Sequence, residues 1–234
     1  MRYGRGTLFL SDDDFGIDWE SLKFVVVDRA YPTDYGGAVV LDLGAHKGYY
    51  GAYALAQGAR AVISFEPETA NCELLERSAA AHREKGADWR VRRAAVGAEQ
   101  GVAELHVMTA SWGHALQPPA EFAEYEVGVE QVPVEAMAEV LAEAGSLCGA
   151  DSRLVVKVNT EGAECEMVLG TPTEAWRRVD EVFVEIHPWA ACGAPELTSH
   201  LVPAGLTQAP SDVSVVLRLR REAAPRSDRH TAPM

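Results

Sequence analysis

The chain has 234 residues, 47% of them hydrophobic and 24% charged, with a formal net charge of -14. A chain of this length can bury a full core without disulfide or metal staples, and one domain with an appendage is expected. The acidic balance argues against a nucleic-acid or anionic-membrane partner, because phosphate binding rests on a surplus of Lys and Arg.

The first residues, MRYGRGTLFLSDDDFG, lack the long apolar stretch of a signal peptide. No run approaches the roughly 20 apolar residues of a membrane span, so a cytoplasmic location is expected. Cys72, Cys148, Cys165 and Cys192 show no paired spacing. Four reduced thiols are expected, with no zinc or redox signature.

Residues 1–37 read as a preamble or cap, with FVVVDRA (24–30) strand-like and YPTDYGG (31–37) turn-rich. From residue 38 the chain alternates between strands and helices. AVVLDL (38–43) is a near-continuous apolar run, as expected of a strand covered on both faces. Residues 47–57 read as a helix, AVISFE (61–66) as a second strand, and 68–84 as a second helix. DWRVRRAAV (88–96) and GVAELHVM (101–108) read as strands. Residues 109–126, with Gly113 and a Pro pair, read as a long loop that could fold over a substrate. Then come strand 127–134, helix 135–145, strand 153–159, helix 161–170, strand 181–187, helix 195–202 and strand 213–220. The last residues, 221–234, have the composition of a disordered tail. This order predicts an α/β fold with a mostly parallel, doubly wound sheet across residues 38–220.

Ligands of such sheets bind outside the carboxyl ends of the strands. Asp42-x-Gly44-x-x-x-Gly48 lies there. Gly44 permits a positive φ and a close backbone approach, and Gly48 lets the following helix pack closely. Neither the dinucleotide fingerprint nor the phosphate-binding P-loop spacing is present. Asp42 would repel a pyrophosphate but could accept hydrogen bonds from a cationic ligand. Glu66, ending the second strand, is placed to accept both hydroxyls of a ribose. A ligand with a ribose, a positive charge and no phosphate fits S-adenosylmethionine (SAM). The alternative reading is a purely structural turn.

A second constellation is LVVKVNTEGAECEMVLG (154–170), where Lys157, Asn159, Glu161 and Glu164 cluster between a strand and a helix. The plain alternative is helix-start chemistry with Asn159 as a cap. In EVFVEIHP (181–188), Glu185 and His187 share a strand face. His187 is either structural or a base or substrate contact.

In order and spacing, VVLDLGAHKGYYG, FEPETAN, RRAAVG, LVVKVNTEGAECEMVLG and VFVEIH resemble an FkbM-type SAM-dependent methyltransferase over roughly residues 38–188. Asp42, Gly44, Ala45 and Gly48 match the family's first motif. Phe65, Glu66 and Pro67 match its second, and Lys157, Glu161, Gly162 and Glu164 its late one. The resemblance implies a Rossmann-like class I methyltransferase fold, its mostly parallel sheet closed by an antiparallel C-terminal strand, and methyl transfer to a hydroxyl of a sugar or secondary metabolite. The implied cofactor set is Asp42, Gly44, Ala45, His46, Gly48, Tyr49, Glu66, Pro67, Ala95, Val96 and Asn159, with adenine near Ala94 to Val96. Asn159 departs from the usual Asp. It keeps an acceptor and loses the charge, so any proton or metal role of that Asp is changed here.

The catalytic candidates are His187, Glu161, Asn159 and His114, with His187 the first choice as base. Trp112, Tyr125 and Trp189 are candidate acceptor contacts. No metal-ligand spacing occurs and no metal is expected. A base-specific amino-methyltransferase would carry an N-P-P-aromatic segment where this chain has KVNTEG. A nitrogen or carboxylate acceptor and a non-catalytic SAM-fold partner subunit stay open, as does a homodimer.

Overall fold

The computed structural model describes residues 1–4, 6–11, 14–149 and 152–222. The preamble forms a small hairpin, β1 (Arg2–Tyr3) and β2 (Gly6–Thr7), then α1 (Phe15–Leu22) and a π-helical turn, Lys23–Val27. The Rossmann-like part follows: β3 (Val39–Leu43), α2 (Tyr49–Ala56), β4 (Ala61–Phe65), α3 (Thr69–Arg83) and β5 (Asp88–Arg92). Next come β6 (Ala95–Gly97), β7 (Gly101–Met108), β8 (Glu126–Ala136) and α4 (Met137–Leu147). The chain finishes with β9 (Leu154–Val158), α5 (Glu164–Gly170), β10 (Glu181–Glu185), α6 (Ala194–Leu201), β11 (Leu206–Ala209) and β12 (Val216–Arg221).

The main sheet has seven strands in the order β11-β12-β10-β9-β3-β4-β5. Pairings from β10 to β5 are parallel, and β12 runs antiparallel between β10 and β11. Every residue of β3, β4 and β9 is buried, as apolar runs covered on both faces require. Side chains alternate between two cores. Val39, Leu41 and Leu43 pack with Met137 and Leu141 of α4 and Leu197 of α6. Val40 joins Tyr50 and Ala54 of α2, Leu75 of α3, and Leu22, Tyr31 and Tyr35 of the preamble. The preamble thus shares a core with the sheet. Strand order reverses between β3 and β9, which puts the topological switch point over their carboxyl ends.

Several sequence expectations are corrected. The segment 24–30 is not a strand: its β-branched residues coil into the π-turn, where Val25 is buried against the preamble core. Tertiary packing overrides local propensity there. The run 88–96 is two strands, because Arg93 and Ala94 leave the main sheet and β6 pairs with β8 in a separate sheet, β6-β8-β7. The long loop contains a 3-10 turn, Ala120–Tyr125. Helix α5 starts at Glu164 rather than 161, because Glu161 and Gly162 have positive φ of 50° and 101°. Strand β11 has no counterpart in the sequence reading. Cys165 and Cys192 form a disulfide, against the expectation of four free thiols, while Cys72 and Cys148 are free. From residue 223 onward the expected tail lies outside the described residues. No helix among the described residues is long and apolar enough to cross a membrane.

Candidate active site

A cavity of about 500 Å³ opens at the carboxyl edge of β3, β4, β9 and β10, within the range of about 300–1,000 Å³ for small-molecule sites. Gly44, Ala45, His46, Tyr49, Glu66 and Pro67 line one part of its wall, with Ala94, Ala95 and Val96 following the break after β5. Asn159, Thr160, Glu161 and Glu185 line another part, and the preamble and residues 111–116 cover it.

Glu66 directly follows β4, with its carboxylate almost fully buried. It accepts hydrogen bonds from the backbone N–H of His46 (2.7 Å) and Glu68 (3.0 Å). Burial pushes its carboxyl up to about 8, against the pull of those two N–H groups. Gly44 turns the chain with φ of 71°, and a Cβ there would run into the backbone carbonyl of Asn159. Loop and β9 therefore touch backbone to backbone. At Gly48, φ is 92°, and a Cβ would meet Leu75 and Trp89. Its role is packing of α2 on α3 and β5, and it does not line the cavity.

Asp42 also differs from expectation. It is wholly buried and does not line the cavity. Its carboxylate pairs with Lys157 Nζ at 3.1 Å, and that ammonium also donates to the carbonyls of Leu43 (3.3 Å) and Gly44 (2.7 Å). The Asp42–Lys157 pair fixes the carbonyls at the end of β3 and so shapes the loop from behind.

Around the late motif, His187 lies between two glutamates. Its Nε2 is 3.2 Å from Glu161 Oε1, and its Nδ1 is 3.1 Å from Glu164 Oε1. Burial alone would lower the imidazole, but the bonds and charges of Glu161 and Glu164 outweigh it and push His187 up to about 10. His187 is thus a cation at neutral pH, with both ring nitrogens engaged, and it does not line the cavity. It is not the free base expected of it. Glu164 also accepts from the backbone N–H of His187 (2.9 Å) and Gly162 (2.8 Å), holding the strained turn. Burial raises the Glu161 carboxyl above the ordinary range, with His187 pulling the other way. Oε2 of Glu161 is buried without a hydrogen-bond partner, as are Oδ1 of Asn159 and Oγ1 of Thr160. Asn159 Nδ2 donates to Glu185 Oε2 at 2.9 Å, and Tyr31 Oη donates to the same oxygen at 2.9 Å.

His114 lines the cavity beside Glu68, 3.9 Å from its carboxylate, and its Nδ1 accepts from the Met108 N–H. Burial lowers it below the ordinary imidazole range. The charges acting on it are those of Glu68, Glu130, Lys47 and Asp14. Of the three aromatic candidates only Trp112 lines the cavity. Tyr125 is half exposed, and Trp189 packs on His187 and Phe122.

Sequence reasoning missed the fastening of the cap. Lys47, 2% exposed, pairs with Asp18 at 2.6 Å and Asp14 at 3.3 Å. Tyr49 Oη donates to Asp18 at 2.6 Å, and Ser111 reaches both Asp14 and His46 Nε2. This network ties α1, the Gly44 loop and the 109–119 segment together. Asp14 and Asp18, four residues apart at the start of α1, were the available signal; their partner could not be read from spacing.

Cys165 and Cys192 are 27 residues apart and join α5 to the loop carrying His187 and Trp189. Closing a loop of that size stabilises by about 3 kcal/mol. Dithiothreitol should therefore lower Tm by about 6–12 °C and expose two further thiols to alkylation. An unchanged Tm in a Cys165→Ser/Cys192→Ser protein would contradict this.

The strand order and the cavity at the switch point are those of a class I methyltransferase fold. The sequence matches the methyltransferase FkbM domain over residues 42–202, more than half of the chain. The chain belongs to the FkbM methyltransferase family, and SAM is its cofactor. No curated protein matches it. Its structure is similar to methyltransferase FkbM from Methylobacillus flagellatus KT, with TM-score 0.55 and 12% identity, covering 85% of this chain and 47% of that one. This chain thus spans about half the length of that protein. A TehB-like SAM-dependent methyltransferase from Corynebacterium glutamicum is similar at TM-score 0.41 and 12% identity, covering 90% and 97%. The magnesium protoporphyrin IX methyltransferase ChlM from Synechocystis PCC 6803, with bound SAM, is similar at TM-score 0.41 and 11% identity, covering 90% and 80%.

The donors present fit SAM. The Gly44 turn, whose missing Cβ lets the loop lie against the Asn159 carbonyl, lines the cavity, and so does a buried carboxylate at the second strand end. Orphaned acceptors stand on the wall formed after β9.

Proposed function

We propose that the chain transfers the methyl group of SAM to a hydroxyl of a small molecule, a sugar or a secondary metabolite. The observation that carries this is the cavity lined by both Glu66 and Glu161, with Oε2 of Glu161 buried and unpartnered. When bound, SAM supplies a methyl group on a sulfonium, so the protein's task is positioning and proton removal. Glu66 accepts the ribose hydroxyls. Gly44, Ala45 and His46 present backbone to the cofactor, Tyr49 closes the start of α2, and Pro67, Ala95 and Val96 bound the adenine. Asp42 acts through Lys157, and Gly48 through packing. Asn159 Oδ1 accepts from the acceptor hydroxyl or the methionine ammonium. Glu161 takes the hydroxyl proton, and its raised pKa suits that role. His187 holds Glu161 by its charge and is a positioning residue, while His114 serves the cofactor side.

The test is transfer of tritiated methyl from SAM to a panel of sugars and phenols, with the product bond assigned by NMR. A methyl ether supports the reading. Label on nitrogen or carboxylate, or tight SAM binding with no transfer to any member, contradicts it.

Glu66 gives a pH prediction. Ribose hydroxyls donate hydrogen bonds, so binding favours the ionised carboxylate, whose pKa in the folded protein is about 8. Affinity for S-adenosylhomocysteine should rise with pH from 6 and level off above 8, by up to about tenfold per unit below the pKa. Calorimetry across that range checks this, and Glu66→Gln should flatten the profile. A flat native profile would contradict the ribose role. The same raised pKa works against folding as pH climbs from 4.5 toward 8, because the unfolded chain ionises this group first.

A further inference from the structure

The wall on the side of Asn159 and Glu185 has an unbalanced charge. Lys157 is the one Lys or Arg among the described lining residues, and it is already paired with Asp42. Glu161 and Glu164 share the single cation His187. Glu185 accepts only from two neutral donors, Tyr31 Oη and Asn159 Nδ2, and no ion pair involves it among the described residues. At the rim, the exposed carboxylates of Glu20 and Asp28 line the same cavity, two acids beside the single ammonium of Lys23, which is 2.8 Å from Asp28 and also feels the charge of Glu20.

The unsatisfied atoms have the same character. Oδ1 of Asn159 and Oε2 of Glu161 are buried, unpartnered and able only to accept while Glu161 is ionised. They call for donors. Beside Glu185 stand aromatic faces: Tyr31 meets Phe24 edge to face at 5.9 Å, and both line the cavity. Carboxylates next to aromatic rings, away from any free cation, make an environment that attracts an ammonium group. Bound SAM brings one net positive charge, from its sulfonium, ammonium and carboxylate together. That offsets only part of the surplus.

We propose that the methyl acceptor carries a protonated amine besides its nucleophilic hydroxyl, and that this amine docks against Glu185, Tyr31 and the rim carboxylates Glu20 and Asp28. The inference rests on the reading of the cavity as a hydroxyl-methylating site. An ammonium supplies three donors to a wall of acceptors. Phosphorylated or carboxylated acceptors are disfavoured by the same charges.

Binding is measured by calorimetry on protein saturated with S-adenosylhomocysteine, whose own amino group is then already in place. Two matched pairs serve as probes, glucosamine with glucose and tyramine with 4-propylphenol, together with glucose 6-phosphate. Each amine should bind at least about tenfold tighter than its neutral partner at low ionic strength. The advantage should shrink in high salt and in the Glu20→Gln/Asp28→Asn protein, whose altered side chains are exposed and away from the reacting groups. Glucose 6-phosphate should not bind. Equal or tighter binding of the neutral members, or no binding by either amine, overturns the proposal. Failure of S-adenosylhomocysteine itself to bind overturns the underlying reading of the cavity instead.

Discussion

Glu161→Gln should lower kcat by about 10²–10⁴ and leave the affinity for S-adenosylhomocysteine within about twofold of native. The substitution keeps the side chain's size and removes its ability to take a proton. Glu161 is the group lining the cavity that combines a raised pKa with a buried, unpartnered carboxylate oxygen. His187→Gln should give a smaller loss. It removes the cation 3.2 Å from Glu161 but not the base. The native enzyme should also lose activity as pH rises through about 10, where His187 gives up its proton. The sign for folding is the same. A raised imidazole pKa stabilises fully below 6.5, and that contribution is lost as pH climbs through about 10. Steady-state kinetics with a hydroxyl acceptor, alongside calorimetry, separates the two variants. Near-native kcat for Glu161→Gln would remove it as the base.

Gly44→Ala should weaken S-adenosylhomocysteine binding by at least about 100-fold and lower Tm. Positive φ costs a residue with a Cβ about 1–2 kcal/mol. The larger cost is the collision with the Asn159 carbonyl. Neither partner can retreat: Asn159 N donates to Leu43 O at 3.1 Å, and Gly44 N donates to Phe65 O at 3.0 Å. Separating them would displace the ends of β3, β4 and β9 together. Gly128→Ala is the control, since a Cβ there meets nothing within 4 Å; it should stay within about 0.5 kcal/mol of native. Calorimetry and thermal melts on both proteins measure the contrast. Normal cofactor affinity in Gly44→Ala would show that the loop can shift.

What was legible in the sequence was local. The buried runs at 39–43, 61–65 and 154–158 announce central parallel strands, because only doubly covered strands lack polar alternation. Gly44 and Glu66 could be placed at strand ends by counting along the chain. What was not legible depends on partners distant in sequence. Asp42 looked ligand-facing until Lys157, 115 residues away, occupied its carboxylate. His187 looked like a free base, but two glutamates from another element hold it protonated. The π-turn at Lys23–Val27 carries strand-forming residues that packing forces into a helix. Cys165 and Cys192 gave no pairing signal, since the turn at Glu161 and Gly162 and the loop after β10 bring them together.

The most direct measurement is a crystal structure of the protein with S-adenosylhomocysteine. The expected result has the ribose hydroxyls on Glu66, adenine against Ala95 and Val96, and sulfur facing Asn159 and Glu161. Sulfur directed away from Glu161, or the nucleoside bound outside the cavity at the carboxyl edge of β3 and β4, would contradict the account.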